Sequence, residues 1–264
     1  MVSGFLVNPE LSSLSSSSSS SSMITSTTLC SERRQPWEFG RFLSQSSKFI
    51  TIPFFARRSA ETTNTIITPG TVLWEPSSTA VDTSALQPFS MAPLDDVVMG
   101  GASSSTFDNT NGKWAGSVTD ANNGGFIGIR SYPNFQWDMS QCQGIEMKFR
   151  GGQGRRFKIV VRDSTDFNGI CWTTSVDNIG TDPLMSLFFP NNNNNKKTDA
   201  ITSVKIQFNK QIPTLFAKTV PDETFDKTNV VGVQLAYSKF EYDGGLNPTF
   251  EVGDIELEIL QMKA

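Results

Sequence analysis

Histidine is absent from this chain of 264 residues, and only three cysteines occur, Cys30, Cys142 and Cys171. The first absence excludes nucleophilic catalysis by Ser-His-Asp or Cys-His, and with it zinc held by mixed His/Cys ligands. The cysteine spacing fits neither a disulfide framework nor a metal site. Cys142 and Cys171 could close one disulfide, but both read as small buried residues. No run approaches the roughly eighteen apolar residues of a membrane-spanning helix, so none is expected. Acids are scarce at the start: Glu10, Glu32 and Glu38 face six Lys/Arg within residues 1–60. The remaining residues carry 16 basic and 23 acidic side chains. An acidic body argues against nucleic acid as a partner, because phosphate neutralisation needs clustered Lys/Arg.

What is present divides the chain at the same place. Residues 15 to 22 are eight consecutive serines, a tract with too little apolar content to offset the entropy of ordering. Arg41 through Lys48 to Ile50, continuing to Phe54-Phe55-Ala56-Arg57-Arg58, mixes bulky apolar and basic residues without an acid. Residues 1–60 therefore read as a disordered targeting leader of mitochondrial type, processed near Arg58; the bland alternative is an ordinary disordered tail. Residues 61–88, punctuated by Pro69, Pro76 and Pro88, read as a linker or extended arm in which Trp74 lies on a short edge strand or docks the arm. Residues 89–264 form the domain.

Within that domain, short alternating segments stand between Gly, Asn, Asp and Pro. Ile145, Met147 and Phe149 alternate with Glu146, Lys148 and Arg150; Phe157, Ile159 and Val161 alternate with Arg156, Lys158 and Arg162, Val160 being the exception. Val204, Ile206 and Phe208 repeat the pattern, as do Ile255, Leu257 and Ile259. Period two with one wet face is the mark of antiparallel strands covering a core from one side. Lys113–Val118, Phe126–Ser131, Ile170–Val176, Leu184–Phe189 and Val230–Tyr237 add further strands. Helical periodicity is missing, so the fold class is all-β, a sandwich of the jelly-roll kind. Asn191 to Lys197 is a low-complexity insert in a surface loop.

Each constellation that suggests chemistry meets a simpler reading. Asp95 and Asp96 could supply paired carboxylates, but adjacent strand residues point to opposite faces and cannot flank one bond. They read as turn and capping acids before Gly100-Gly101. Arg150-Gly151-Gly152-Gln153-Gly154-Arg155-Arg156 resembles a phosphate loop, yet its glycines join two strands rather than lead into a helix, so a hairpin turn is expected. Its arginines are expected exposed and close together. Asp120 to Gly125 hints at a calcium loop but has Ser131 where the twelfth-position acid belongs. Asp163 to Asp166 could offer oxygen ligands. Trp114, Trp137 and Trp172 could form a sugar-stacking platform, although tryptophans in sandwiches more often anchor cores or interfaces.

The blocks Asp95-Asp96-Val97-Val98-Met99-Gly100-Gly101-Ala102-Ser103-Ser104-Ser105, Gly112-Lys113-Trp114-Ala115-Gly116 and Asn123-Gly124-Gly125-Phe126 with Arg130 resemble, in order, those of the complex I intermediate-associated protein 30 family. Asp95 stands where Asn is usual. The hairpin to Arg155 and the closing Phe250–Ile259 segment extend the similarity from Phe89 to Met262. The resemblance implies a galactose-binding-like jelly roll, and a non-catalytic, chaperone-like assembly factor that needs no cofactor. The implied partners are protein subunits of a partly assembled NADH dehydrogenase (respiratory complex I) and other assembly factors, with membrane association only through the client. The implied compartment is the mitochondrial matrix, with the plastid and its photosynthetic or NADH-dehydrogenase-like complexes as the alternative. A carbohydrate-binding module of the same architecture is the other functional reading. The expected partner contacts are Asp95, Asp96, Trp114, Arg130, Arg150 and Arg155, with no catalytic, cofactor or metal residue.

Overall fold

Alternation along the chain becomes two layers of antiparallel strands. The computed structural model describes residues 39–49, 64–77, 86, 89–181 and 200–264, all within one unit spanning residues 34–264. The serine tract, the processing point near Arg58, the expected strand Leu184–Phe189 and the Asn191–Lys197 insert lie outside the described residues. In order, the elements are α1 (Phe39–Phe49), β1 (Thr65–Ile66), β2 (Val72–Trp74), β3 (Ser90–Pro93), β4 (Ser104–Asp108), β5 (Lys113–Val118), β6 (Phe126–Tyr132), β7 (Trp137–Asp138), β8 (Gly144–Gly151), β9 (Arg155–Arg162), β10 (Cys171–Ile179), β11 (Ile201–Gln207), β12 (Ile212–Leu215), β13 (Lys218–Thr219), β14 (Gly232–Ser238) and β15 (Gly253–Lys263).

One sheet runs β13-β12-β10-β9-β14-β6-β3, and the other runs β11-β8-β15-β5-β4, with β2 pairing onto the end of β15. Among the described strands only the small β1–β7 pair is parallel. The inward sets expected from alternation do form the core. Ile145, Met147, Phe149, Leu257 and Ile259 from one sheet join Phe157, Ile159, Val161, Val233 and Leu235 from the other in a single buried cluster. At about 1.5–3 kcal/mol for each large apolar side chain removed from water, this cluster holds the layers together. The result is a jelly-roll β-sandwich. Among the described residues no helix is long and apolar enough to cross a membrane.

Three features depart from the sequence reading. Phe39–Phe49, placed in the leader, is an α-helix with Gln45 and Ser46 buried. Part of the expected linker is built into the domain: Trp74 pairs with Met262 on β15, and Thr65 with Trp137 on β7. The outward side of β9 is not wet throughout, since Val160 and Arg162 are buried along with Thr173 and Thr214 on neighbouring strands. Arg162 achieves this by folding onto the loop after it, donating to the carbonyls of Ser164 and Asp166 and to Cys171 Sγ. Both body cysteines are free thiols.

Candidate functional site

After β3 the chain makes a single 3-10 turn, Asp96–Met99, closed by Gly100 at φ 91°. Asp95 precedes it in extended conformation without capping it, which leaves its carboxylate able to reach across the sandwich edge. It accepts hydrogen bonds from Ser105 N–H at 2.8 Å, Ser105 Oγ at 2.6 Å and Gly128 N–H at 3.3 Å. Asp96 turns the other way and accepts from Ser103 N–H at 2.9 Å, Ser103 Oγ at 2.7 Å, Gly125 N–H at 2.8 Å and Phe126 N–H at 3.3 Å. All four of these donors are neutral. Burial pushes the Asp95 carboxyl up, against the lowering pull of its bonds to Ser105, Gln45 and Gly128.

This node explains the glycine-rich blocks. A Cβ on Gly101 would lie 2.3 Å from Asp96 Cγ, and one on Gly124 would lie 2.4 Å from Asp96 Oδ2. The carboxylate occupies the space a side chain would need, so the Gly100-Gly101 and Gly124-Gly125 turns close on one buried acid. Asp95 and Asp96 are wholly buried, which corrects the expectation of exposed loop charges: Asp96 is tied among turns of the body, and Asp95 is tied to the body and covered by Gln45 of α1. Trp114 is corrected in the same way. It sits in the core, 6.1 Å from the Phe157 ring, with no surface to offer. Trp137 is equally buried and stacks on Phe135 at 3.6 Å, so the three tryptophans form no platform.

Arg130 on β6 is nearly buried, at 8% exposure. Its Nε donates to Gln234 Oε1 at 3.0 Å, and its guanidinium lies against the Phe49 and Phe167 rings at 5.5 and 5.3 Å. Burial, with Arg162 adding to it, holds its pKa down to about 10. Arg150 and Arg155 lie elsewhere, flanking the β8–β9 hairpin, and neither is a loose charge. Arg150 Nη1 meets Glu258 Oε2 at 3.0 Å, and Arg155 Nη2 meets Glu251 Oε2 at 3.4 Å beneath the Tyr237 ring. Arg156 is gripped at both ends by Asp177, at 2.5 and 2.9 Å. The exposed basic loop expected here is a neutralised one, and buried Arg155 is part of the fold. The hairpin turn itself is as expected, with positive φ from Gly151 to Gly154.

The structure brings Asp95 and Arg130 together through α1, which sequence reasoning missed. Gln45 Nε2 donates to Asp95 Oδ2 at 2.9 Å while Asp95 N–H donates to Gln45 Oε1 at 2.8 Å. One turn later, Phe49 covers Arg130 and sets its edge against Tyr132 at 6.2 Å. Gly128, two residues before Arg130 on the same face of β6, presents only backbone. The available signal was the acid-free, apolar and basic Arg41–Ile50 segment, read there as an address rather than as a docked helix.

A second concave region opens at the sandwich end near β10 and β12. A cavity of about 600 Å³ is lined by Trp172, Phe208, Phe225, Gln143, Asn209 and Gln211, among others. Gln211 is buried with neither carboxamide atom hydrogen-bonded. Trp172 Nε1 donates to Asp163 Oδ2 at 2.8 Å, and Asp226 N–H reaches the same oxygen at 3.1 Å, so Asp163 serves as a tie between loops. Among the described residues no group of three or more acids or cysteines could hold a metal ion. Asp120 lies 3.6 Å from Lys239, and the following Asn122 and Asn123 make the turn with positive φ.

Thirteen solved chains resemble this fold. The Family 11 carbohydrate-binding module of cellulosomal cellulase Lic26A-Cel5E from Clostridium thermocellum is 11% identical, covers 74% of this chain and 94% of its own, and has a TM-score of 0.40. The same module in complex with a β-1,3-1,4-mixed-linked tetrasaccharide is 13% identical, covering 70% and 92%, at TM-score 0.37. An exo-β-agarase is 11% identical, covering 72% of this chain and 25% of its own, at TM-score 0.36. No curated protein sequence matches significantly. The model of complex I intermediate-associated protein 30 matches residues 82–259. That match spans well over half of the chain, including both buried acids, Trp114, the glycine turns and the first part of β15: this protein belongs to the complex I intermediate-associated protein 30 family.

Proposed function

We propose that this protein is a non-catalytic assembly factor that binds intermediates of NADH dehydrogenase in the mitochondrial matrix, the plastid being the alternative compartment. The observation that carries the reading is the family match across residues 82–259, joined to what its signature residues do. They build a rigid edge rather than a reaction centre: Asp95 and Asp96 spend their acceptor capacity on backbone and serine donors, and Trp114 fills the core. A scaffold of this kind suits holding a surface of a partly built subunit until the next subunit replaces it. Candidate contacts that remain accessible are Arg150 and the rim around Tyr132 and Met99, the last 72% exposed. Cross-linking of the tagged full chain in isolated mitochondria tests the proposal. Subunits of NADH dehydrogenase are expected among the products, with the tagged chain absent from the finished complex. A cross-link map without any such subunit overturns it, and one of photosynthetic subunits transfers it to the plastid.

A carbohydrate-binding reading is favoured by one observation, the cavity where Trp172 stands beside several carboxamides and the unpaired Gln211. Retention on a polysaccharide gel, abolished by Trp172→Ala, would support it over the first. Failure to bind a panel of neutral glycans would remove it.

A further inference from the structure

Helix α1 is eleven residues long and contains Ser44, Ser46 and Ser47 with no acid in its first turn. Isolated helices of this length are marginal in water, and serine is a poor helix former. Its order therefore comes from the surface on which it sits. That surface reads two side chains. Asp95 offers a donor and an acceptor together, so a carboxamide is matched at both of its polar atoms. Arg130 offers a flat cation held between rings, one of them supplied by Phe49 and the other by Phe167 of the body. Gln45 and Phe49 are four residues apart and so share one helix face, while Ser44, Ser47 and Lys48 face outward.

We propose that the α1 seat is a docking site for a helix of a client subunit, a helix presenting a carboxamide and, four residues later, an aromatic ring, and that α1 occupies it in cis until the leader is removed. This rests on the assembly-factor reading above and names the partner chemistry for it. Cleavage at the point near Arg58 expected from the sequence would separate α1 from the body. Asp95 then loses both of its bonds to Gln45, and Arg130 loses one of its two rings. Ser105 and Gly128 go on holding the Asp95 carboxylate from the body side, and a replacement helix that bonds Asp95 and covers Arg130 as α1 does is favoured over one that does not. A segment that folds only on docking exchanges readily, which a temporary occupant requires.

The test uses the full chain with a site-specific protease sequence inserted between Ile50 and Thr63, cut after folding. The probe is a fluorescent peptide of residues 36–50. Exchange of the peptide into the cut protein is expected, with affinity reduced tenfold or more by Gln45→Ala and by Phe49→Ala in the peptide. No exchange, or equal affinity of the three peptides, overturns the seat. In organelle extracts, the native peptide is expected to displace NADH dehydrogenase subunits captured by the cut protein, and the Gln45→Ala peptide is not. Subunits that stay bound overturn the client assignment while leaving the assembly role standing, whereas capture of no such subunit in either case counts against the assembly role itself. A dimer of the intact chain that Gln45→Ala dissolves would assign the seat to a second copy and overturn the client helix.

Discussion

Asp96 offers the sharpest test of how the sandwich edge is held. Replacing it by Ala removes the acceptor for Ser103 N–H, Ser103 O–H, Gly125 N–H and, at longer range, Phe126 N–H. The Ser103 hydroxyl has Thr119 O within 3.0 Å and can turn to it. The two close backbone donors, on Ser103 and Gly125, both lose their bond to the carboxylate. A buried donor left without a partner costs about 1–3 kcal/mol, so Asp96→Ala should cost about 2–5 kcal/mol. For a domain of this size that corresponds to a fall in Tm of roughly 5–15 °C. Asp96→Asn should cost nearly as much, because its NH2 group faces an N–H donor whichever way the amide is turned. Gly124→Ala is the complementary change, since its Cβ would fall 2.4 Å from Asp96 Oδ2. Part of that clash disappears once the carboxylate is gone, so the double variant Asp96→Ala/Gly124→Ala should be more stable than the sum of the single effects implies, by about 1 kcal/mol or more. Urea unfolding followed by tryptophan fluorescence measures the parent and all four variants. An Asp96→Asn variant within about 0.5 kcal/mol of the parent, or strict additivity in the cycle, would refute the argument.

Other outcomes follow from the same geometry. Burial raises the Asp95 carboxyl above its ordinary value of 3.8, so the folded state binds that proton more tightly than the unfolded chain. Its contribution is greatest at acid pH and declines as pH rises from about the ordinary value through the raised one; the stability of the parent relative to Asp95→Asn should fall across that window in pH-dependent urea titrations. Arg155→Glu should lower Tm clearly, since it puts two acids together beside Glu251 and removes the cation from the Tyr237 ring. Arg150→Glu breaks a half-exposed pair with Glu258 and should cost only about 1 kcal/mol; equal falls in the two melting curves would contradict this. Trp114→Ala should cost about 3–5 kcal/mol as a core truncation, visible as loss of folded protein before any selective loss of client binding.

Much of the fold was legible where one face of a strand is apolar. Lys113–Val118 appears as β5 with the bounds expected; β8 follows its alternation closely, and β9 does so as far as Ile159. β15 runs on past the readable Ile255–Ile259 pattern because an irregularity between Ile259 and Gln261 shifts the register. Ser90–Pro93 and Ser104–Asp108 carried little apolar signal, and they are strands because Asp95 and neighbouring backbones hold them. The site was less readable. Acids next to Gly-Gly suggested an exposed turn, when the accompanying serines and small residues were making room for buried carboxylates. Arg130 and Arg155 were read as free charges because their partners, Phe49, Phe167, Gln234 and Glu251, lie far along the chain. Helix α1 was invisible to propensity because tertiary contact, rather than its own composition, orders it.

The place of β15 has a consequence for how the molecule is made. It is the last of the described strands in sequence, yet it lies between β8 and β5. Until residues 253–263 arrive, β4–β5 and β8–β11 are two separate ribbons with bare edges, each open to pairing with the wrong chain. Closure of that layer is thus a late event that joins segments more than a hundred residues apart, which slows folding and keeps the edges of both ribbons bare until β15 slots in.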